Sequence, residues 1–473
     1  MMSSSLHPGP VRAICEPRRR WGFGLTPRAI VLLAMGFLLL LPGFWDSRLS
    51  YAMLVWDGLV LVAAALDGIR LPRASELVVS RSWSNTPALD SETEIELMVE
   101  NQSRVIVECQ LIDDLPRELV DQPDTERVTA FPQVPARVRY RIVPEERGDC
   151  ETGWLYVRYR SPLGLIERWA KAPLKQAVRV YPALRRSEEQ QIFLTRSRQI
   201  DLQLRQAQQR GLGRDFESLR EYREGDDLRD ICWTATARRG DLITRQYQTE
   251  RSQAVWIVLD CGRLMQSRVA AIVAKGGPET VVRQHLHSKL DHACSTAVAL
   301  AQLALYSGDR VGLLAYGQGI QQRLLPGRGT AHLRQLMELL AQVKAESSEA
   351  DHLKATAVLS RLQPRRSLVL WVTDLAETAL RPEVIDGAMQ LLRRHVLLFV
   401  AMAQPEVESI ARTRPANVEQ MFRAAAAQEM AGRRELLLAR LHEQGALTFD
   451  LNPDALTSSV LNQYLAVKER AMV

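Results

Sequence analysis

The sequence predicts a chain in three parts: a membrane helical hairpin, an all-β sandwich-like domain and a doubly wound α/β domain. Three observations predict it. Two apolar stretches follow one another between residues 25 and 70, each of about the 20 residues that a helix needs to cross a bilayer. Period-two alternation dominates residues 77–181, and apolar strands alternate with helix-like segments from residue 255 onward. The expected boundaries are 1–24 for a basic N-terminus, 25–70 for two transmembrane helices and 71–182 for the sandwich. A helical connector with a charged motif follows at 183–250, and the α/β domain at 251–473.

The first stretch, 25–45, carries only Arg28 as a charge, and the second, 51–69, carries Asp57 and Asp67. The link between them is too short for a domain, so the pair reads as a hairpin whose helices satisfy their own backbone hydrogen bonds in lipid. Trp21, Trp45, Tyr51 and Trp56 sit where interfacial aromatics belong. Arg12, Arg18, Arg19, Arg20 and Arg28 precede the first helix, and Arg70, Arg73 and Arg81 follow the second, against Arg48 alone in the link. The positive-inside rule then puts both termini and the soluble domains in the cytoplasm. A cleaved signal peptide fits poorly, because a second apolar run follows at once with no small-residue cleavage site between. A buried soluble helical pair is the plain alternative. Asp57 is the weak point, since an acid within a span needs a partner or a shallow position.

In the sandwich, residues 94–100, 137–143 and 155–160 alternate, with shorter runs at 105–107 and 177–181, and prolines and glycines between them. The connector at 188–210 is rich in Gln and Arg and reads as an exposed helix or linker. The overall composition fits packed domains: 46% of the 473 residues are hydrophobic, which excludes disorder as the dominant class. The charge balance, 61 − 55 = +6, mixes both signs and implies no nucleic-acid partner. The six cysteines lack any C-x-x-C pair, so neither a disulfide framework nor a zinc site is expected.

The densest polar stretch runs from Gly213 to Gly240. Arg220, Glu221, Tyr222, Gly225, Asp226, Arg229, Trp233 and Arg238 crowd charges of both signs around single aromatics. If 227–238 is helical, Arg229, Trp233 and Ala237 share a face and Trp233 is a buried anchor. Two readings stay open: a network that clamps the next domain, or a docking surface for a protein partner. No nucleophile–base pair is visible there, so enzymatic chemistry is not expected.

This run, Gly-x-Asp-Phe-x-x-Leu-Arg-Glu-Tyr-x-x-Gly-Asp-Asp-x-Arg-x-Ile-x-Trp-x-x-x-Ala-Arg at 213–238, resembles the signature of the bacterial domain-of-unknown-function 58 family. Asn101, Asp113 with Pro116, Arg147-Gly148, Ser161-Pro162-Leu163-Gly164-Leu165, Val180-Tyr181-Pro182 and Gly308-Asp309-Arg310 extend the likeness. The resemblance implies a bacterial inner-membrane protein with a C-terminal half like von Willebrand factor type A domains. It also implies a MoxR-type AAA+ ATPase as partner, and no activity or cofactor.

The C-terminal residues agree. Residues 255–259, 311–316, 368–372, 396–402 and 446–451 read as strands, with helices between. Ligands bind such sheets beyond the carboxyl ends of the strands, where Asp260 and Asp374 fall. Type A domains hold Mg²⁺ there through Asp-x-Ser-x-Ser, a Thr and a second Asp. Here Asp260 is followed by Gly262 and Leu264 in place of both serines, leaving Asp260, Asp374 and a loosely matching Thr330 as a degenerate site. Mg²⁺ binding at this rim and an envelope-directed metal-dependent hydrolase are the two alternatives to an adaptor. His285, His287 and His292 beside Asp291 lack the helical spacing of a metal site, and Gly276-Gly277-Pro278 lacks the Lys of a phosphate loop.

Overall fold

The computed structural model describes residues 8–18, 22–38, 47–120, 125–183, 193, 195–196, 215–222, 231–248, 253–273, 283–375 and 383–470. The chain divides into two compact units, Met1–Ala183 and Leu184–Val473. Each is described by itself.

In the first unit, alternation makes the sandwich. Along Thr93–Asn101 every second residue is buried, so one face joins the core and the other stays partly wet. One antiparallel sheet has the order β1-β4-β5-β8: β1 (Val11–Ile14), β4 (Leu77–Trp83), β5 (Thr93–Asn101) and β8 (Ala136–Ile142). The other has the order β2-β11-β10-β6-β7: β2 (Glu16–Pro17), β11 (Ile166–Ala172), β10 (Leu155–Arg160), β6 (Val107–Asp113) and β7 (Thr125–Ala130). β3 (Phe23–Leu25) also pairs with β11. A small ladder joins β9 (Gly148–Thr152) to β12 (Gln176–Val180). Val79, Ile95 and Leu97 from one sheet meet Val107, Leu111 and Val157 from the other in one core. Of the run expected at 105–107 only Val107 is in a strand, as the first residue of β6.

The N-terminal stretch 1–24, expected as a basic N-terminus, instead supplies the edge strands β1 and β2 and most of β3, which ends at Leu25. The chain therefore enters the sandwich, leaves it through the apolar helices, and returns to it at β4. Arg81, counted above as a charge flanking the second helix, is another correction. It sits on the inward face of β4 and is fully buried. Its Nε donates to Asp113 Oδ2 at 2.9 Å, a second nitrogen pairs with Asp113 Oδ1, and Nη1 donates to the Leu174 carbonyl at 2.9 Å. Tyr140 donates to the same carboxylate. An ion pair thus crosses between the two sheets inside the apolar core.

Between β3 and β4 lie α1 (Pro27–Leu38) and α2 (Ser47–Arg70), packed against each other. Within α2, Tyr51–Arg70 is long and apolar enough to cross a membrane, with mean hydropathy 1.8. Twelve residues of the first apolar stretch form α1; positions 39–46, with Trp45, lie outside the described residues, as does Trp21. Trp56 donates to the Leu32 carbonyl at 2.9 Å. Gly36 allows the helices to close: a Cβ there would come within 2.2 Å of the Asp57 carboxylate. Asp57 Oδ1 is buried against α1 with no hydrogen-bond partner among the described residues.

The other acid of that stretch has a different fate. Asp67 is buried and accepts from the Ser161 hydroxyl and from the Leu163 and Leu165 backbone N–H groups at 3.3 and 3.2 Å. Thr26, just before α1, accepts from Ala29 N–H at 3.3 Å as a helix cap and donates to the Gly164 carbonyl. The loop Ser161–Leu165, part of the family-like pattern, is therefore the socket that seats the feet of both helices.

In the second unit a hairpin of β13 (Asp215–Glu221) and β14 (Ile243–Gln248) brackets the short helix α3 (Trp233–Arg239). The main sheet follows with the order β19-β18-β15-β20-β21-β22: β15 (Ala254–Asp260), β18 (Arg310–Tyr316), β19 (Ile320–Gly327), β20 (Leu368–Thr373), β21 (Val396–Met402) and β22 (Leu447–Leu451). All its pairs are parallel except β18 with β19. A second hairpin, β16 (Arg268–Val273) with β17 (Arg283–Ser288), stands between β15 and α4 (Lys289–Tyr306). The remaining helices are α5 (Gly329–Gln342), α6 (His352–Leu362), α7 (Glu383–Leu392), α8 (Pro405–Arg412), α9 (Val418–Glu443) and α10 (Pro453–Glu469). Strands β15, β20 and β21 are buried along their whole length, which requires cover on both faces and explains their unbroken apolar runs. The chain reverses its winding between β15 and β20, which places the topological switch point there.

Candidate functional site at the switch point of the α/β sheet

The carboxyl ends of β15 and β20 lie side by side, since Leu259 pairs with Val372. Asp260 ends β15, Asp374 directly follows β20, and both are buried. The Thr373 hydroxyl donates to Asp260 Oδ2 at 2.6 Å, and Gly262 N–H donates to Asp260 Oδ1 at 2.7 Å. These are neutral donors. Burial pushes the Asp260 carboxyl up to about 6, against the opposing pull of those two hydrogen bonds and with a smaller push from Asp374.

Asp374 is compensated by full charges. Lys289, the first residue of α4 and 1% exposed, donates its ammonium to Oδ2 at 2.5 Å. Gln404 donates to the same carboxylate at 3.0 and 3.2 Å, and Arg434 on α9 reaches Oδ1 at 3.3 Å. Arg434 also grips Asp450 with two bonds of 2.8 Å and the Met402 carbonyl with a third. Burial opposes its charge, but the pairing with Asp450 and Asp374 more than offsets this and holds its pKa above the usual arginine value. A cavity of about 390 Å³ opens beside this network between α8 and α9, walled by Gln404, Val407, Met430, Arg434, Leu438 and Asp450.

This geometry does not fit the Mg²⁺ ligand set. The Asp374 oxygens are held by the chain's own cations. Gly262 has no hydroxyl and no room for one, because a Cβ there would lie 2.9 Å from the Ala350 backbone nitrogen. Thr330 is the plainest correction. It follows β19, which runs antiparallel to β18 and ends level with Val311, whereas Asp260 is level with Tyr316. Thr330 therefore stands at the opposite end of the sheet, and the hydroxyl that faces Asp260 is that of Thr373. Asp291 is engaged as a cap: it accepts from the Ser288 hydroxyl at 2.6 Å and from Ser288 N–H at 3.2 Å. Among the described residues no group of three or more His, Cys, Asp or Glu is placed to hold a metal ion. His287 is buried on β17, edge-on to His292.

Keeping Asp260 carries a measurable cost. A folded-state value of about 6 against an ordinary 3.8 means that the folded domain binds the proton more tightly than the unfolded chain. The favourable contribution is complete below about pH 4, fades as pH rises towards 6, and leaves a deficit on the order of 2–3 kcal/mol above that. Asp260→Asn is expected to flatten this slope and to raise stability at about pH 7.5 by on the order of 1–3 kcal/mol. Denaturant midpoints of the full chain across this pH range check it; parallel curves for the two proteins would refute it.

The charged motif is only partly described, and Gly225, Asp226 and Arg229 lie outside the described residues, as does most of the connector. Arg220 and Glu221 close β13, with Arg220 Nη1 on the Glu221 carbonyl at 3.1 Å, and Tyr222 N–H donates to the Leu242 carbonyl. A continuous helix over 227–238 is not found: Ile231 makes a β-bridge with Thr244 and the helix begins only at Trp233. Trp233 is 66% exposed, not a buried anchor. Arg238 lies with Arg239 in the last turn, and Gly240 ends the helix in the left-handed region at φ 83°. The residues that sequence reasoning missed are Lys289, Thr373, Gln404 and Arg434.

The family described as "Protein of unknown function DUF58" matches residues 218–421. That stretch runs from β13 through both rim carboxylates into the start of α9. Uncharacterized proteins of Mycobacterium tuberculosis and Mycobacterium bovis are each 24% identical over 166 residues, covering 35% of this chain and 48% of their own length. The chain thus spans about half the length of the curated relatives it matches. The crystal structure of conserved hypothetical protein BatB from Bacteroides thetaiotaomicron aligns over 46% of this chain and 99% of that one, at 15% identity and a TM-score of 0.26. By its charged motif and the sheet that follows it, residues 218–421 of this chain are similar to the family of unknown function DUF58.

Proposed function

We propose that this chain is a non-enzymatic adaptor, anchored in the bacterial inner membrane by its helical hairpin, with both termini and its folded domains in the cytoplasm. The observation that carries the reading is Trp233. A tryptophan 66% exposed on a short helix whose last turn carries Arg238 and Arg239 offers the residue types that dominate protein–protein contacts. The rim supports the same reading, because its buried acids are met by internal donors and not left open for chemistry. The sheet order, with one antiparallel edge strand, supports a type A-like domain as the scaffold. For the anchor, the support is that β3 and β4 belong to one sandwich, so α1 and α2 must leave and return on the same side.

The partner that the resemblance points to is a MoxR-type AAA+ ATPase. Native purification of the full chain with mass spectrometry is expected to recover such an ATPase. Trp233→Ala with Arg238→Ala is expected to lower recovery about tenfold or more at unchanged melting temperature. No ATPase with the intact protein, or equal recovery with the variant, would refute the reading. Mg²⁺ titrated into the full chain is expected to give no binding heat, and heat that vanishes in Asp260→Ala would favour a Mg²⁺-dependent type A domain instead.

A further inference from the structure

We propose that the foot of the hairpin carries a binding site for the phosphate headgroup of an anionic phospholipid. The inference rests on the membrane reading above and adds a ligand to it. A cavity of about 440 Å³ lies where α1 meets the sandwich, lined by Thr26, Arg28, Ile106, Glu108, Arg160 and Ser161 among others. That volume falls in the range of small-ligand sites.

The charges favour an anion. Arg28 and Arg160 face one lining carboxylate, Glu108. Arg28 has no carboxylate partner among the described residues. Its Nη1 lies 3.2 Å from where a Cβ of Gly164 would stand, so the bare glycine, at φ 67°, lets the guanidinium lie across the socket loop. Arg160 Nε is buried without a hydrogen-bond acceptor. Its nearest carboxylate oxygen, Glu167 Oε2, is 3.8 Å away and already bound by Arg158 at 2.6 Å. Two guanidinium groups with unused donors suit the oxygens of a phosphate diester.

A lipid explains the surroundings better than a soluble phosphate. The cavity opens where the polar domain gives way to the apolar helix. From Arg28, positions Val31, Met35 and Leu38 continue up one face of α1, and all three are exposed. Ile106 in the cavity wall and Leu163 on the socket loop are exposed as well. A headgroup held at the arginines would lay its acyl chains along this stripe. Arg28 stands at the level where a basic side chain meets the headgroup layer.

The test uses the full chain in nanodiscs, with phosphatidylglycerol and phosphatidylcholine competing and retained lipid counted by native mass spectrometry. Phosphatidylglycerol is expected to be enriched about tenfold over phosphatidylcholine, and Arg28→Gln with Arg160→Gln to abolish the enrichment at unchanged melting temperature. Arg141→Gln, an exposed arginine of β8, is expected to leave it intact. Arg28→Glu alone, at an exposed position, serves if the double variant loses its fold. No enrichment in the wild type, or enrichment that survives the variants, overturns the site. Displacement of the lipid by equimolar glycerol phosphate or inorganic phosphate assigns the pocket to a soluble anion and overturns the lipid. Release of the protein from membranes by alkaline carbonate refutes the anchor itself, a failure distinct from loss of lipid selectivity in a protein that stays embedded.

Discussion

Arg81→Met is expected to destabilise the sandwich by about 3–5 kcal/mol, the range for removing one partner of a buried ion pair. The reason is not the loss of attraction alone. Asp113 would stay inside a dry core with Tyr140 as its remaining donor among the groups described, and Leu174 would lose a donor to its carbonyl. Calorimetry of the detergent-solubilised full chain should show one transition lowered on the order of 10 °C while the other stays. The double variant Arg81→Met with Asp113→Leu should recover most of the loss, because no charge is then stranded. A single variant as stable as the parent, or a double variant no better than the single, would show that the pair does not tie the sheets.

Lys289→Met is expected to weaken the α/β unit by a similar 3–5 kcal/mol at neutral pH. Asp374 would retain Gln404 and the more distant Arg434, at 3.3 Å, in place of an ammonium at 2.5 Å. Asp374→Asn should rescue much of the loss in the Lys289→Met background, and a double-mutant cycle isolates the coupling. Equal stability of Lys289→Met and wild type at neutral pH would mean that the ammonium is not what neutralises Asp374.

What the sequence made legible is what is periodic. β5, β8 and β10 alternate cleanly, and β15, β20 and β21 are unbroken apolar runs, so both sheets could be read from spacing. Asp260 and Asp374 could be placed at the strand ends for the same reason. The edge strands β1, β2 and β3 have four, two and three residues, too few to show a period, and the arginines in and between them made the stretch look like a tail. Arg81 misled because a charge on a half-buried strand is normally turned outward, and its partner Asp113 lies 32 residues away. Lys289 meets Asp374 across 85 residues, a meeting fixed only by how α4 packs. Thr330 misled because residue type without strand direction cannot say at which end of a sheet a hydroxyl will stand.

The early strands have a consequence for biosynthesis. β2 and β3 wait for partners in β11 that leave the ribosome about 145 residues later (Phe23 pairs with Arg168), so this closure belongs among the slow, non-local steps of folding. On the membrane reading, if only one of the two apolar helices enters the bilayer, β1 to β3 are stranded across the lipid from β4 and β11, and the sheets cannot be completed. Folding of the sandwich would then act as a proofreading step on insertion, leaving mis-threaded chains with open edges for quality-control proteases to find.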